Sequence, residues 1–96
     1  YMTNSSTKRH IAILGSTGSI GTQAVDVVLA NPDRFQVEVL TTNNNADLLI
    51  EQAAKLNPNV VVICNEARYE QVFSALDPLG IKVYAGAAAI ASVVQM

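Results

Sequence analysis

Ninety-six residues, half of them hydrophobic and with a formal net charge of −2, make one domain at most. That balance gives no electrostatic footprint for nucleic acid or an anionic membrane surface, and no apolar run reaches the roughly 18 residues of a membrane span. The single cysteine, Cys64, excludes an internal disulfide and fits a reduced, cytoplasmic setting.

Residues 1–9 are polar and lack the apolar stretch of a secretory signal, so a disordered lead-in is expected there. Ile11-Ala12-Ile13-Leu14 is a short apolar run ending in glycine, the pattern of a buried parallel strand. Glycines follow at 15, 18 and 21. Gly15 is placed to turn the chain sharply and Gly18 to let a bulky anion approach the backbone. Gly21 is placed to let the next helix pack tightly on the strand. The first N–H groups of that helix have no partners within it, and with the dipole behind them they form a phosphate cradle. No Lys-Ser or Lys-Thr pair follows the glycines, so the run is not a P-loop. Its spacing is Gly-x-x-Gly-x-x-Gly, and three glycines by themselves are a weak signal. A strand before and a helix after, within one βαβ unit, favour the cradle over a turn that binds nothing.

The first helix is expected over Ser19 to Ala30, with Ser19 as N-cap or first-turn donor. Ile20, Ala24, Val27 and Val28 would form its apolar face, and Asn31-Pro32 would end it. A second strand, Phe35 to Thr41, places Phe35, Val37, Val39 and Thr41 on one face and Gln36, Glu38 and Leu40 on the other. It is half-exposed at its start and buried near its end. Asn43-Asn44-Asn45 reads as loop and cap before a helix over Ala46 to Leu56, with Leu48, Leu49, Ala53 and Leu56 inward. Asn57-Pro58 stops that helix. Val60 to Cys64 reads as a core strand with a buried, unreactive thiol, since no His or basic residue stands beside it. A third helix runs from Asn65 or Glu66 to Leu76, with Tyr69, Val72, Phe73 and Leu76 as its stripe. Asp77-Pro78-Leu79-Gly80 breaks the chain before a strand over Ile81 to Tyr84. Gly86 opens an Ala-rich, helix-prone segment from Ala87 to Met96. The alternation predicts an α/β fold: a Rossmann-like parallel sheet with helices on both faces, truncated to about four βα units.

In a dinucleotide fold the end of the second strand discriminates NAD from NADP, because a carboxylate there bonds the ribose 2′-hydroxyl and repels a 2′-phosphate. About 20 residues on from the glycines lies Leu40 to Asn45, and the first acid after it is Asp47. The neutral run Thr41-Thr42-Asn43-Asn44-Asn45 supplies hydroxyls, amides and backbone N–H groups. Its lack of an acid favours NADP, although it also lacks the Lys or Arg that usually meets a 2′-phosphate. The same residues also read as plain turn formers. Elsewhere there are no paired carboxylates, no His cluster and no nucleophile with a base; lone His10 reads as a surface or strand-start residue.

Ile13-Leu14-Gly15-Ser16-Thr17-Gly18-Ser19-Ile20-Gly21, with Asp26-Val27-Val28, Asn31-Pro32 and Phe35 at matching distances, resembles the 1-deoxy-D-xylulose 5-phosphate reductoisomerase family. The resemblance covers the chain from about Arg9 onward. It implies that Thr17, Gly18, Ser19 and Ile20 contact the phosphates of NADPH. The family's second cofactor loop reads Gly-Lys-Asn or Gly-Arg-Asn; here Asn45 matches, while Asn43 and Asn44 replace the Gly and the basic residue and are included by their position. The resemblance implies an N-terminal cofactor-binding segment, 10–96, of a longer, homodimeric cytoplasmic enzyme of non-mevalonate isoprenoid biosynthesis. That enzyme rearranges a sugar phosphate, 1-deoxy-D-xylulose 5-phosphate, and then reduces the resulting aldehyde with hydride from NADPH, giving 2-C-methyl-D-erythritol 4-phosphate. It implies too that the carboxylates for a divalent metal (Mg or Mn), the substrate-phosphate site and a lid lie beyond Met96, so the segment alone is expected to be inactive. The rival expectation is a non-catalytic nucleotide-sensing Rossmann module. A third, weaker one is an oligomerisation domain pairing through open strand edges.

Overall fold

The computed structural model describes residues 8–94, with side chains through Ile90. Most of the expected lead-in and the last two residues of the expected final helix lie outside the described residues. Four strands, β1 (Arg9–Ile13), β2 (Phe35–Thr42), β3 (Val60–Ile63) and β4 (Lys82–Ala85), alternate with helices α1 (Ser19–Ala30), α2 (Ala46–Leu56), α3 (Tyr69–Leu76) and α4 (Ala87–Val94). A 3₁₀ turn at Glu66–Arg68 precedes α3, and another at Asp77–Leu79 follows it. All strand pairs are parallel, and their order across the sheet is β1-β2-β3-β4.

Successive right-handed crossovers stepping in one direction place their helices on the same face of a sheet. Accordingly α1, α2 and α3 share one core with Ile13, Val37, Leu40, Val61, Ile63 and Val83. The opposite face is covered by α4, whose Ala89 and Ile90 pack on Val39, Val60 and Val62. Leu40, Leu49, Val61, Ile63, Val72 and Leu76 are fully buried, which at roughly 1.5–3 kcal/mol for each fully buried aliphatic side chain is the main source of cohesion.

Several residues sit differently from the expectation. Ile11 pairs with Val37 but Ala12 pairs with Val39, so Glu38 is an extra residue in β2. This bulge breaks the period of two: Val37 joins the three-helix core and Val39 the opposite one, although simple alternation puts them together. In α1 the buried face is Gly21, Val25 and Val28, whereas Ile20 is 81% and Val27 54% exposed. The N-cap of α1 is Gly18, with no side-chain cap bond, and not Ser19. Phe73 is partly exposed and stacks on Tyr69 at 5.6 Å between ring centres. Cys64 lies just past β3 and is only half-buried. His10, by contrast, is the surface, strand-start residue expected: it is exposed at the second position of β1 and bonds Glu38 through Nδ1 at 2.7 Å.

Candidate functional site: the glycine turn and the asparagine loop

The site begins where β1 ends. Gly15 takes φ +70°, a left-handed conformation that a side chain disfavours, and the chain reverses there. A Cβ on Gly21 would meet the carbonyl of Gly15 and come within 2.7 Å of the Ser16 Cα, so α1 crosses the turn at a distance that only glycine allows. Gly18 is extended (φ −80°, ψ 178°). A Cβ there would meet only the Gly15 carbonyl oxygen, at 3.5 Å, and otherwise project into open space. The Thr22 N–H bonds the Gly18 carbonyl at 2.8 Å, which closes the first turn. The preceding N–H groups of α1 stand at its positive end, without acceptors from an earlier turn.

The turn is clamped from β2 and α2. The Gly15 N–H donates to Thr41 Oγ1 at 2.9 Å, and the Ser16 N–H donates to the Thr41 carbonyl at 2.8 Å. Thr17 and Thr42 share a short hydroxyl–hydroxyl bond. Buried Gln52 of α2 reaches across to donate through Nε2 to the Ser16 carbonyl at 2.8 Å. Thr41 and Thr42 are thus buried and brace the glycine turn, Thr41 by accepting through Oγ1 and Thr42 through the hydroxyl of Thr17. Nothing in the local pattern marks Gln52, since its role depends on α2 lying beside a turn 36 residues away.

The asparagine loop is built just as tightly. Asn45 caps α2, its Oδ1 accepting the Leu48 N–H at 3.2 Å, and its carbonyl accepts the Leu49 N–H at 3.1 Å. The Asn44 carbonyl accepts the Ala46 N–H at 2.8 Å, and the Asn43 carbonyl accepts the Asn65 N–H at 2.8 Å. Asn65 Nδ2 donates to Asn44 Oδ1 at 3.0 Å. Asp47, the first acid, accepts from Gln71 at 2.5 Å.

These two loops form one cleft of about 300 Å³, lined by Gly15, Thr17, Gly18, Thr42, Asn43, Asn44 and Asn45. Ser19 and Ile20 fall outside it. With Gly15, Gly18 and Gly21 they line a second, more apolar cleft of about 650 Å³ along β1 and α1. The glycine turn is the wall shared by both. Of the residues singled out from sequence, Thr17, Gly18, Asn43, Asn44 and Asn45 come together on one side, and Ser19 and Ile20 stand on the other. Among the described residues, no group of three or more His, Cys, Asp or Glu side chains could hold a metal ion, and no helix is long and apolar enough to cross a membrane.

The family model for 1-deoxy-D-xylulose 5-phosphate reductoisomerase matches residues 11–96. A protein of that name from Phocaeicola vulgatus is 56% identical over 88 residues, covering 92% of this chain and 23% of its own length. Another, from Gluconobacter oxydans, is 46% identical over 84 residues, covering 88% and 21%. Among solved structures, the reductoisomerase from Zymomonas mobilis in complex with NADPH aligns with a TM-score of 0.88 at 35% identity, over 93% of this chain and 24% of that one. A DOX-P reductoisomerase in complex with magnesium aligns with a TM-score of 0.73 at 27% identity, over 83% and 20%. The chain therefore spans about a quarter of the length of the relatives it matches.

Proposed function

The chain belongs to the 1-deoxy-D-xylulose 5-phosphate reductoisomerase family, and on that premise we propose that its two clefts bind NADPH across the glycine turn. The observation that carries this reading is the space at Gly18: its missing Cβ opens onto a cleft shared with Asn43, Asn44 and Asn45. A pyrophosphate laid there, beside Thr17 and Gly18, meets the N–H groups at the start of α1, at Ser19 and Ile20; the Gly18 N–H itself donates to the Gly15 carbonyl at 3.0 Å. The adenosine ribose and its 2′-phosphate then fall toward Asn43, Asn44 and Asn45. No carboxylate lines that cleft, so a 2′-phosphate meets no repulsion. The nicotinamide half runs toward the second cleft, past Ser19 and Ile20 along the outer edge of β1. When bound, the nicotinamide supplies hydride to the aldehyde made by rearranging 1-deoxy-D-xylulose 5-phosphate. What this chain's residues do is hold, orient and select the cofactor.

In this reading the segment is the cofactor-binding part of a homodimeric, cytoplasmic enzyme making 2-C-methyl-D-erythritol 4-phosphate. It has no catalytic residues of its own. The divalent metal and the sugar phosphate are held by parts of the enzyme outside the segment. Family membership favours this over a sensing module that shares only the fold. Calorimetric titration of the chain with NADPH and NADH is the test. NADPH binding in preference to NADH supports the reading; equal affinity for both, or binding of neither, overturns it.

A further inference from the structure

Asn65 lies just beyond β3, outside the residues that line either cleft. The orientation of its side chain follows from elementary donor and acceptor chemistry. Its Oδ1 accepts the Ala67 backbone N–H at 3.0 Å, and a backbone N–H can only donate. Nδ2 is therefore the atom turned toward Asn44, where it donates at 3.0 Å. An amide nitrogen does not accept, so the Asn44 atom that it meets is the oxygen. The two amide hydrogens of Asn44 are then left for the cleft that Asn44 lines. The same logic fixes Asn45, whose Oδ1 takes the Leu48 N–H. The carbonyls of Asn43, Asn44 and Asn45 are engaged as well, by Asn65, Ala46 and Leu49. At Asn44 and Asn45 the side-chain oxygens are thus taken by partners within the protein, which leaves the amide hydrogens of those two side chains for the cleft that both residues line.

We infer that Asn65 is a positioning residue for cofactor choice: it locks Asn44 with its oxygen inward, so that the cleft greets a 2′-phosphate with neutral amide donors in place of a cation. This rests on the NADPH reading above and goes beyond it, because it says how a loop without Lys or Arg discriminates between NADPH and NADH. Phosphate oxygens only accept, so a surface of donors suits them. The ribose 2′-hydroxyl of NADH both donates and accepts and gains less from such a surface.

The variant Asn65→Asp tests it. An Asp keeps the oxygen that caps Ala67 and serves that position as well as Asn does, so the loop keeps its support. It offers Asn44 only acceptors, and the Asn44 amide turns over to present its oxygen to the cleft. Losing a hydrogen bond to a charged group is worth about tenfold or more in affinity. The NADPH dissociation constant of the chain should rise by that factor, while that for NADH stays within about twofold, the scatter expected where no interaction is lost. Asn65→Thr keeps a capping oxygen without an amide or a charge. A smaller loss for NADPH alone separates orientation of Asn44 from simple repulsion by the carboxylate. Equal weakening of both nucleotides in either variant makes Asn65 a loop brace only and overturns the inference, as does unchanged NADPH affinity in both. Failure of the unmodified chain to prefer NADPH overturns the cofactor reading itself, and the inference with it.

Discussion

The α-carbon of Gly21 faces the peptide of Gly15 so closely that a single added methyl group would collide with backbone, coming within 2.7 Å of the Ser16 Cα. Flexible side chains move aside cheaply; backbone that is clamped by Thr41 and Gln52 does not. Gly21→Ala should therefore cost at the upper end of the usual overpacking range, about 3 kcal/mol. In a domain of this size that lowers the thermal midpoint by roughly 12–24 °C, which a calorimetric scan would register. A midpoint within a few degrees of the unmodified chain's would mean that α1 moves off the turn freely.

Gly18 offers the opposite case. Its backbone is extended, which any residue adopts, and its Cβ direction is open but for one ordinary contact with the Gly15 carbonyl oxygen at 3.5 Å. Gly18→Val should fold with a thermal midpoint close to that of the unmodified chain and lose NADPH binding, because the branched side chain fills the approach to the first turn of α1. Retained affinity in a folded variant would show that the pyrophosphate lies elsewhere.

Gln52 donates to the Ser16 carbonyl from a site only 5% exposed. Gln52→Glu replaces that donor with a carboxyl group of nearly the same shape. Protonated, it can still donate to the carbonyl; ionised, it sets an acceptor against an acceptor in a dry place. Burial and the carbonyl both disfavour the charged form, so the folded-state pKa is raised. A raised carboxyl pKa means that the unfolded chain loses its proton first. The variant should approach the stability of the unmodified chain at low pH and fall behind it as pH rises through and above the ordinary glutamate range. Urea denaturation at a series of pH values measures the gap; a gap that does not widen with pH would contradict the burial of this contact.

The face that α1 turns to the core can be tested by a pair of substitutions. Val25 is 4% exposed and Ile20 is 81% exposed. Val25→Ala should cost about 2 kcal/mol by lost burial and the space left behind. Ile20→Ser, at the exposed start of the helix, should change stability by less than about 0.5 kcal/mol. Comparable losses in the two variants would place the buried stripe of α1 where the sequence pattern alone suggests.

That pair shows what can and cannot be read from residues in order. The bounds of α1 and α2 follow from the sequence because their stop signals, Asn31-Pro32 and Asn57-Pro58, act on the chain next to them. The cap by Asn45 and the reversal at Gly15 are local for the same reason. The face of α1 is not, because Ile20, Val25, Val27, Val28 and Leu29 spread over more than half of its circumference, wider than one buried stripe. Only the close crossing of Gly21 over the turn selects which of them is buried. The asparagines belonged to the candidate site by their distance from the glycines. The direction of the Asn44 amide came from a residue 21 positions downstream.

Order along the chain was enough to set the alternating parallel architecture, the glycine-shaped gap at the start of α1 and the neutral loop opposite it. These depend on backbone sterics, helix ends and the charge of a few adjacent side chains. The assembled sheet decided the rest. The bulge at Glu38 exists only through pairing with β1, and the hydroxyls of Thr41 and Thr42 found their partners in the glycine turn. Buried polar groups must find partners wherever packing brings them, and those partners lie far away in sequence.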